Sequence, residues 1–103
     1  MQQIEALLAE DPDDAFLRYG LAMEYASAGD DEAAVRLLRE LIALKRVGNE
    51  PYVPAYLQAG QFLAKLGRET EACDVLREGI AKAAQVGDDH ARGEMLGLLG
   101  TLE

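Results

Sequence analysis

Apolar residues recur along this chain at the spacing that places them on one face of an α-helix. The pattern is clearest after Asp30, where the recurring apolar positions are Ala34, Leu37, Leu38, Leu41 and Ile42. No run of alternating β-branched residues competes with this pattern anywhere in the chain. The sequence therefore predicts helices and no strands.

Prolines, glycines and acidic residues divide the helical pattern into six segments. A short helix is expected over residues 4–9, and longer ones over about 14–28, 54–66 and 70–86. Another begins near 31 and is expected to continue to the segment Gly48-Asn49-Glu50-Pro51, and a last helix begins at 88 or 89. Gly29, Gly67 and Gly87 fall between helices, where glycine readily takes the left-handed conformation that ends a helix.

Residues 26–43 reappear 38 positions later as residues 64–81. Eight of the 18 positions are identical at this one offset. They are Ala26/Ala64, Gly29/Gly67, Ala34/Ala72, Leu38/Leu76, Arg39/Arg77, Glu40/Glu78, Ile42/Ile80 and Ala43/Ala81. A fixed period of this length indicates one helical unit that has been copied and stacked, each copy burying the apolar face of its neighbour.

The repeated unit resembles the tetratricopeptide repeat over about residues 4–84. The matching motifs are Leu21-Ala22-x-x-Tyr25 with Ala34-x-x-x-Leu38, and Tyr56-x-x-Ala59-Gly60-x-x-Leu63 with Ala72-x-x-x-Leu76. Arg18 stands at the family's Trp position, and the period of 38 exceeds the usual length of about 34. The additional residues lie between Lys45 and Val53, where a longer loop or one more helical turn costs little.

The resemblance implies an all-α fold, a superhelix of stacked antiparallel helical hairpins. The whole chain, 1–103, then forms a single domain. Its parts are a partial helix over 1–10, a first repeat over 13–48, a second repeat over 52–87 and a capping helix over 88–101. Ala34 and Ala72 stand where the family requires a small residue at the close crossing of the two helices in each hairpin.

Charge restricts the classes of partner. The net charge is −9, from 19 acidic against 10 basic residues, and such a surface repels phosphate backbones and anionic membranes. A protein or peptide partner, apolar with basic flanks, is expected instead. The first residues show no basic region followed by an apolar run, and no stretch approaches the length of a membrane span. We therefore expect a cytoplasmic protein.

Few residues offer catalytic or metal-binding chemistry. Cys73 and His90 are the only residues of their types, so neither a disulfide nor a zinc-type spacing is available. We expect Cys73 to be buried and His90 to be exposed. The acidic clusters all precede predicted helices, where carboxylates cap free N–H groups. These clusters are Asp11/Asp13/Asp14, Asp30/Asp31/Glu32 and Asp88/Asp89. The chain is therefore predicted to be no enzyme and to need neither cofactor nor metal.

In tetratricopeptide arrays the first helix of each pair lines a concave groove that receives peptide or helical partners. By the resemblance, the groove residues here are Phe16, Tyr19, Met23, Ser27, Leu57, Gln61, Ala64 and Lys65. The version of the family that grips a C-terminal carboxylate has Lys, Asn and Arg at these places, which this chain mostly lacks. An apolar segment is the better expectation, and the implied function is non-catalytic protein binding or scaffolding. Alternatively, Tyr19 and Met23 only fill space under the N-terminal helix.

The last helix contains three residues with low helix propensity, Gly93, Gly97 and Gly100. The expectation is that Gly93 and Gly97 permit close packing against the end of the preceding helix, at Ala81, Ala83 and Ala84. This helix then seals the exposed side of the last repeat, as repeat arrays require. The alternative is a structural homo-oligomer in which the groove or the terminal helix is occupied by a second copy.

Overall fold

The computed structural model describes residues 2–10, 14–44 and 51–103. Within these ranges the chain forms α-helices and no strand, which confirms the predicted all-α class. The helices are α1 (Gln2–Glu10), α2 (Ala15–Ser27), α3 (Asp31–Ala43), α4 (Val53–Lys65), α5 (Glu69–Val86) and α6 (Asp89–Leu102).

Each helix packs against the next helix in the chain, so that α2 with α3 and α4 with α5 form two successive hairpins. The pairing of α3 with α4 joins the hairpins, and α1 packs on α2. The last helix, α6, packs on both α5 and α4. This is the expected stack of antiparallel helical hairpins with an additional helix at each end.

Asp14, Asp30 and Asp88 cap the helices that follow them. In each case an Oδ1 atom accepts a hydrogen bond from the backbone N–H three residues later, at 3.0, 3.0 and 3.1 Å. These bonds satisfy donors that the first helical turn leaves without partners. The interpretation of these three carboxylates as caps is confirmed, whereas Asp11 and Asp13 lie outside the described residues.

Three turns between helices share one geometry. Gly29, Gly67 and Gly87 have φ values of 87°, 78° and 77°, in the left-handed region. In each turn the residue after the glycine donates its backbone N–H to a carbonyl five residues earlier, at 2.9, 2.9 and 2.8 Å. This bond is the signature of a helix end closed by a left-handed residue. The same turn thus separates α2 from α3, α4 from α5 and α5 from α6.

The core consists of two clusters of buried side chains. The first core cluster lies among α2, α3, α4 and α5 and contains Ala22, Ala34, Val35, Leu38, Leu41, Ala55, Ala59, Phe62, Leu63, Ala72 and Val75. The second core cluster lies among α4, α5 and α6 and contains Val53, Tyr56, Cys73, Leu76, Ala83, Met95 and Leu99. Ala34 and Ala72 are fully buried, as small residues at a close helix crossing should be, and Cys73 is buried as expected.

The prediction for the end of the third helix is wrong. Instead of continuing to Gly48, α3 ends at Ala43, and Leu44 has extended backbone angles of φ −69° and ψ 128°. Leu44 is half-buried against the first core cluster. The extended backbone at Leu44 thus coincides with packing of its side chain on the core. Residues 45–50 lie outside the described residues.

The expectation for the glycines of α6 is also wrong. Gly93, Gly97 and Gly100 are exposed, and a β-carbon built at any of them meets nothing within 4 Å. The contact of α6 with the rest of the protein is made by large side chains, because Met95 and Leu99 are buried in the second core cluster. The terminal helix therefore covers the last repeat, but its glycines face outward.

Candidate functional site

Four of the predicted groove residues lie along one face of α2. Phe16 is the most exposed large apolar side chain described, with 73% of its surface accessible. Tyr19 and Met23 are half-buried and pack against the first core cluster. Ser27 is exposed at the end of the helix. The face thus changes along the helix from an exposed aromatic ring, through two partly accessible apolar side chains, to a polar end.

Tyr19 connects α2 to the start of α4. The ring centroids of Tyr19 and Tyr52 are 5.4 Å apart at an interplanar angle of 70°, an edge-to-face contact favoured by the ring quadrupoles. Burial and the neighbouring Tyr52 raise the pKa of Tyr19, and a hydrogen bond with Gln58 partly opposes this increase. These contacts fix the ring, so that its accessible side is presented at a defined place beside α4.

The predicted residues of α4 are not all part of the same surface. Leu57 is half-buried but packs against the second core cluster, whereas Ala64 packs against the first. Gln61 is exposed between them. The Nζ atom of Lys65 lies 3.5 Å from a carboxylate oxygen of Asp31, so this side chain is directed towards the start of α3. Ala64 therefore shares the first core cluster with Tyr19 and Met23, whereas Leu57 lies on the side of α4 that packs towards α5 and α6.

The N-terminal helix, α1, packs on a different edge of α2. Ile4 Cδ1 lies 3.6 Å from the place where a β-carbon on Gly20 would stand, and the hydroxyl of Tyr25 donates to Glu5 Oε1 at 3.5 Å. Tyr19 contacts Tyr52 and Gln58, before and within α4. The alternative in which Tyr19 and Met23 only fill space under α1 stays a prediction.

Two buried positions of α6 align with two buried positions of α4 at one fixed offset. Ala59 and Leu63 are buried in α4, and Met95 and Leu99 are buried in α6, 36 positions later. The two helices also pack against each other. By its position, α6 therefore corresponds to the first helix of a further repeat.

The same offset of 36 positions aligns Gly93 with Leu57 and Gly97 with Gln61. If the predicted groove extends along the array, these two exposed glycines are its positions on α6. The sequence pattern did not assign these glycines to the groove, because the copied segment ends at Ala81, before the last helix. The signal that could have identified the two glycines is the spacing of 36 positions from Ala59 and Leu63 to Met95 and Leu99. Together, the residues of α2, α4 and α6 at these positions are called the groove face below.

Charged groups near the groove face are partly paired with one another. Asp31 contacts Lys65, and Glu32 Oε1 lies 3.0 Å from Arg68 Nη1. His90 is exposed, as expected, and its Nε2 atom lies 2.6 Å from Glu94 Oε1. Within the described ranges, no three side chains of His, Cys, Asp or Glu come together as metal ligands would. None of the helices described is both long and apolar enough to cross a bilayer.

The sequence and the fold both match known proteins. A family model described as the tetratricopeptide repeat matches residues 1–51. A TPR repeat-containing protein of Pseudomonas aeruginosa is 30% identical over 103 residues, which is all of this chain and 94% of that protein.

Solved structures agree with the sequence match. The crystal structure of a tetratricopeptide repeat domain protein from Salinibacter ruber is similar with a TM-score of 0.75 at 27% identity, covering 86% of this chain and 94% of that one. The solution structure of a tetratricopeptide repeat domain protein from Salinibacter ruber gives a TM-score of 0.78 at 28% identity, covering 89% of each chain. A protein from Bordetella parapertussis also gives 0.78 at 28% identity, covering 98% of this chain and 84% of that one.

Tetratricopeptide repeats generally mediate protein–protein interaction or scaffolding and are generally non-catalytic. The two matched hairpins, the left-handed glycine turns between their helices and the relative that aligns over the full length lead to one assignment: the chain belongs to the tetratricopeptide repeat family.

Proposed function

We propose that this protein is a non-catalytic binding module that takes an apolar peptide or helix of another protein across its groove face. In this proposal residues 13–48 and 52–87 are the two repeats, and 88–101 is the helix that closes the array. The observation that carries the proposal is the exposure of Phe16, 73% accessible, beside the partly accessible Tyr19 and Met23. Aromatic and apolar side chains gathered on a surface are typical anchors of protein interfaces.

The shape of the groove face supports an extended or helical occupant. Large side chains stand on α2, whereas Gly93 and Gly97 on α6 leave the helix backbone open to approach. A partner segment that lies across the three helices then meets Phe16, Tyr19 and Met23 at one end and a flat surface at the other. Small residues at such a position let two helix backbones come close together.

Charge supports basic flanks on the partner. The chain carries a net charge of −9, which accelerates association with a positively charged segment. Because Asp31 and Glu32 are already paired with Lys65 and Arg68, the attraction comes from the whole chain more than from these two residues. A reducing compartment such as the cytoplasm fits the unpaired Cys73.

The test removes the anchors while preserving the fold. A partner is first isolated from a native lysate and identified by mass spectrometry, and its dissociation constant is then measured by calorimetry. We expect Phe16→Ala, and more strongly the pair Tyr19→Ala and Met23→Ala, to weaken binding by about 30-fold or more, as central anchors do. Val86→Ala is the matched control, since Val86 is an exposed apolar residue of α5, a helix that contributes no residue to the groove face.

The thermal midpoint separates binding from stability in this experiment. Phe16→Ala should leave it unchanged, because the ring is exposed. Binding that survives the double substitution in a folded protein would move the site to another surface. Unfolding caused by the double substitution, together with unchanged binding of Phe16→Ala, would show that Tyr19 and Met23 serve only the core.

Self-association through α6 is the second candidate function. Leu96 is 42% exposed and lies among the outward-facing glycines of α6. No charged residue follows Glu94 before the helix ends, so this part of α6 presents an apolar surface. If a second copy occupies it, the sedimentation coefficient should rise with protein concentration, and Leu96→Glu should abolish the rise. A monomer at all concentrations would leave heterologous binding as the function.

A further inference from the structure

One end of the groove face carries a row of exposed residues. Phe16, Pro54 and His90 are each the second residue of their helices, α2, α4 and α6, and all three are exposed. They are equivalent by the offsets of 38 and 36 positions that relate these helices. Because the helices between them run antiparallel, α2, α4 and α6 begin at the same end of the stack. These three residues are called the first row below.

Phe16 offers an accessible aromatic face on this row. No other large apolar side chain described is as exposed. The faces of an aromatic ring attract cations, because the ring quadrupole is negative above and below the plane. Phe62, the other phenylalanine, already has a cation nearby, since Lys65 Nζ lies 5.8 Å from its ring centroid. Within the described ranges no lysine or arginine is placed in this way over Phe16.

Negative charge borders the first row. The carboxylates are those of Asp14, Asp88, Asp89 and Glu94. Asp14 precedes Phe16 by two residues, and Glu94 Oε1 lies 2.6 Å from His90 Nε2. Asp14 and Asp88 also cap helices, but each cap uses only one of the two carboxylate oxygens. Acidic groups therefore stand at both ends of the row, on α2 and on α6.

The arginines of these helices are directed elsewhere. Arg18 Nη1 lies 3.9 Å from Glu40 Oε2 on α3. Arg92 occupies the place on α6 that Arg18 occupies on α2, by the same offsets. Residues two apart on an α-helix point in nearly opposite directions. Arg18 and Arg92 therefore do not share the side of the helix on which Phe16 and His90 stand.

The remaining charges at this end of the stack do not cancel the carboxylates. Helices α2, α4 and α6 begin here, whereas α1, α3 and α5 end here, so the partial charges of the helix ends oppose one another. Lys82 is the one charged residue in the last two turns of α5. The connecting residues 11–13 and 45–50, outside the described residues, carry formal charges of −2 and +1. A negative balance therefore remains beside the first row.

We propose that the first row binds the basic flank of the partner segment, with the guanidinium of an arginine stacked on Phe16. This assignment rests on the proposed function and adds the place and the residue type of the flank. Charge complementarity with the bordering carboxylates carries it. Tyr19 and Met23, about one and two turns further along α2, then receive the apolar part of the segment. Lys65, near the far end of the groove face, opposes a basic flank there.

Arginine suits the first row better than lysine. Its guanidinium is planar and less strongly hydrated than an ammonium, so it can stack on a ring and still donate hydrogen bonds to a carboxylate at its edge. Asp14 and Glu94 offer such carboxylates at the two ends of the row. Pro54, between Phe16 and His90, is apolar and presents no competing charge.

The test uses two blocked helical peptides of leucine and alanine, one with three arginines at one end and the other with three glutamines in their place. Each peptide is titrated into the full chain labelled with ¹³C and ¹⁵N, and the ring signals of Phe16 and the methyl signal of Met23 are followed. The arginine peptide should shift both sets of signals. The glutamine peptide should shift the Met23 signal and leave the ring signals of Phe16 unchanged.

Two variants separate the ring from the charge. Phe16→Leu preserves the apolar bulk and removes the aromatic face, so it should raise the dissociation constant of the arginine peptide about two- to fivefold and leave that of the glutamine peptide unchanged. Asp14→Asn keeps a capping side chain and removes a charge, so it should weaken binding of the arginine peptide alone. Asp74→Asn makes the same change on α5, where the side chain is 73% accessible, and should have no effect.

The outcomes distinguish the place of the flank from the function itself. Equal weakening of both peptides by Phe16→Leu, in a protein with an unchanged thermal midpoint, would overturn the assignment and leave Phe16 as an apolar anchor. Shifts by the arginine peptide that avoid the first row would overturn it as well, and the proposed function would stand if Met23 still responds. Loss of the Met23 shift with both peptides would instead count against the proposed function and the assignment together.

Discussion

Removal of α6 should convert the protein into an unstable fragment that self-associates. Met95 is fully buried, and with Leu99 it completes the second core cluster beside Tyr56, Leu76 and Ala83. Truncation of a buried Met to Ala alone costs about 2–5 kcal/mol, against a total stability of about 5–15 kcal/mol for a domain of this kind. Loss of the entire helix therefore consumes most of the stability and exposes an apolar face to other copies.

The measurement compares the full chain with a chain that ends at Gly87. Circular dichroism should show a low or absent thermal transition for the short chain, and light scattering should show oligomers. Met95→Ala is the milder version and should lower the midpoint without loss of fold. Met95→Leu conserves most of the volume and serves as its control, with an expected cost below about 1.5 kcal/mol. A short chain that remains monomeric and equally stable would show that α6 is free to leave the array for a partner.

The same substitution, glycine to alanine, should have opposite effects in α5 and α6. A β-carbon on Gly79 would stand 2.5 Å from Tyr56 Cβ and 2.6 Å from Met95 Sδ. Met95 is flexible, but Tyr56 Cβ is bonded to its own helix backbone and cannot retreat. Overpacking costs about 1–3 kcal/mol, which exceeds the helix-propensity gain of about 1 kcal/mol. Gly79→Ala should therefore destabilise the protein.

Gly93→Ala should stabilise it by about 1 kcal/mol, because a β-carbon there meets nothing within 4 Å and only the gain in helix propensity remains. The stabilities of the two variants should therefore differ by about 1–3 kcal/mol. For a domain of this size each kcal/mol shifts the thermal midpoint by about 4–8 °C, so the midpoints should differ by about 4–24 °C. Gly97→Ala repeats the open environment and should agree with Gly93→Ala. If Gly93→Ala instead destabilises the protein, another molecule covers the outward face of α6 in solution. Self-association would then be measured for Gly93→Ala and Gly97→Ala.

The sequence alone determined the helical class, the repeat and most helix boundaries. The reason is that these features depend on local interactions. An apolar face repeats every three or four residues, Asp14, Asp30 and Asp88 cap the backbone three residues ahead, and Gly29 and Gly67 close the turns in the two hairpins. Each such signal acts over less than two helical turns and can be read from consecutive letters.

Part of the groove face could also be predicted. The family pattern directs attention to Phe16, Tyr19 and Met23, and the structure shows partly or largely accessible side chains at all three positions. The support of Tyr19 by Tyr52 could not be predicted, because the residues lie in different elements and the contact depends on how α2 meets α4.

Only the tertiary structure decided the features that depend on contacts between distant residues. Helix α3 ends at Ala43, where Leu44 packs on the first core cluster. The close approach of Tyr56 requires glycine at Gly79, where the first repeat has the large Leu41. Orientation is decided in the same way. Because Met95 occupies the core, Gly93 must face outward, although glycine itself has no side chain to favour either direction. Sequence periodicity places residues on a helix face, but which face is covered depends on the neighbouring helices.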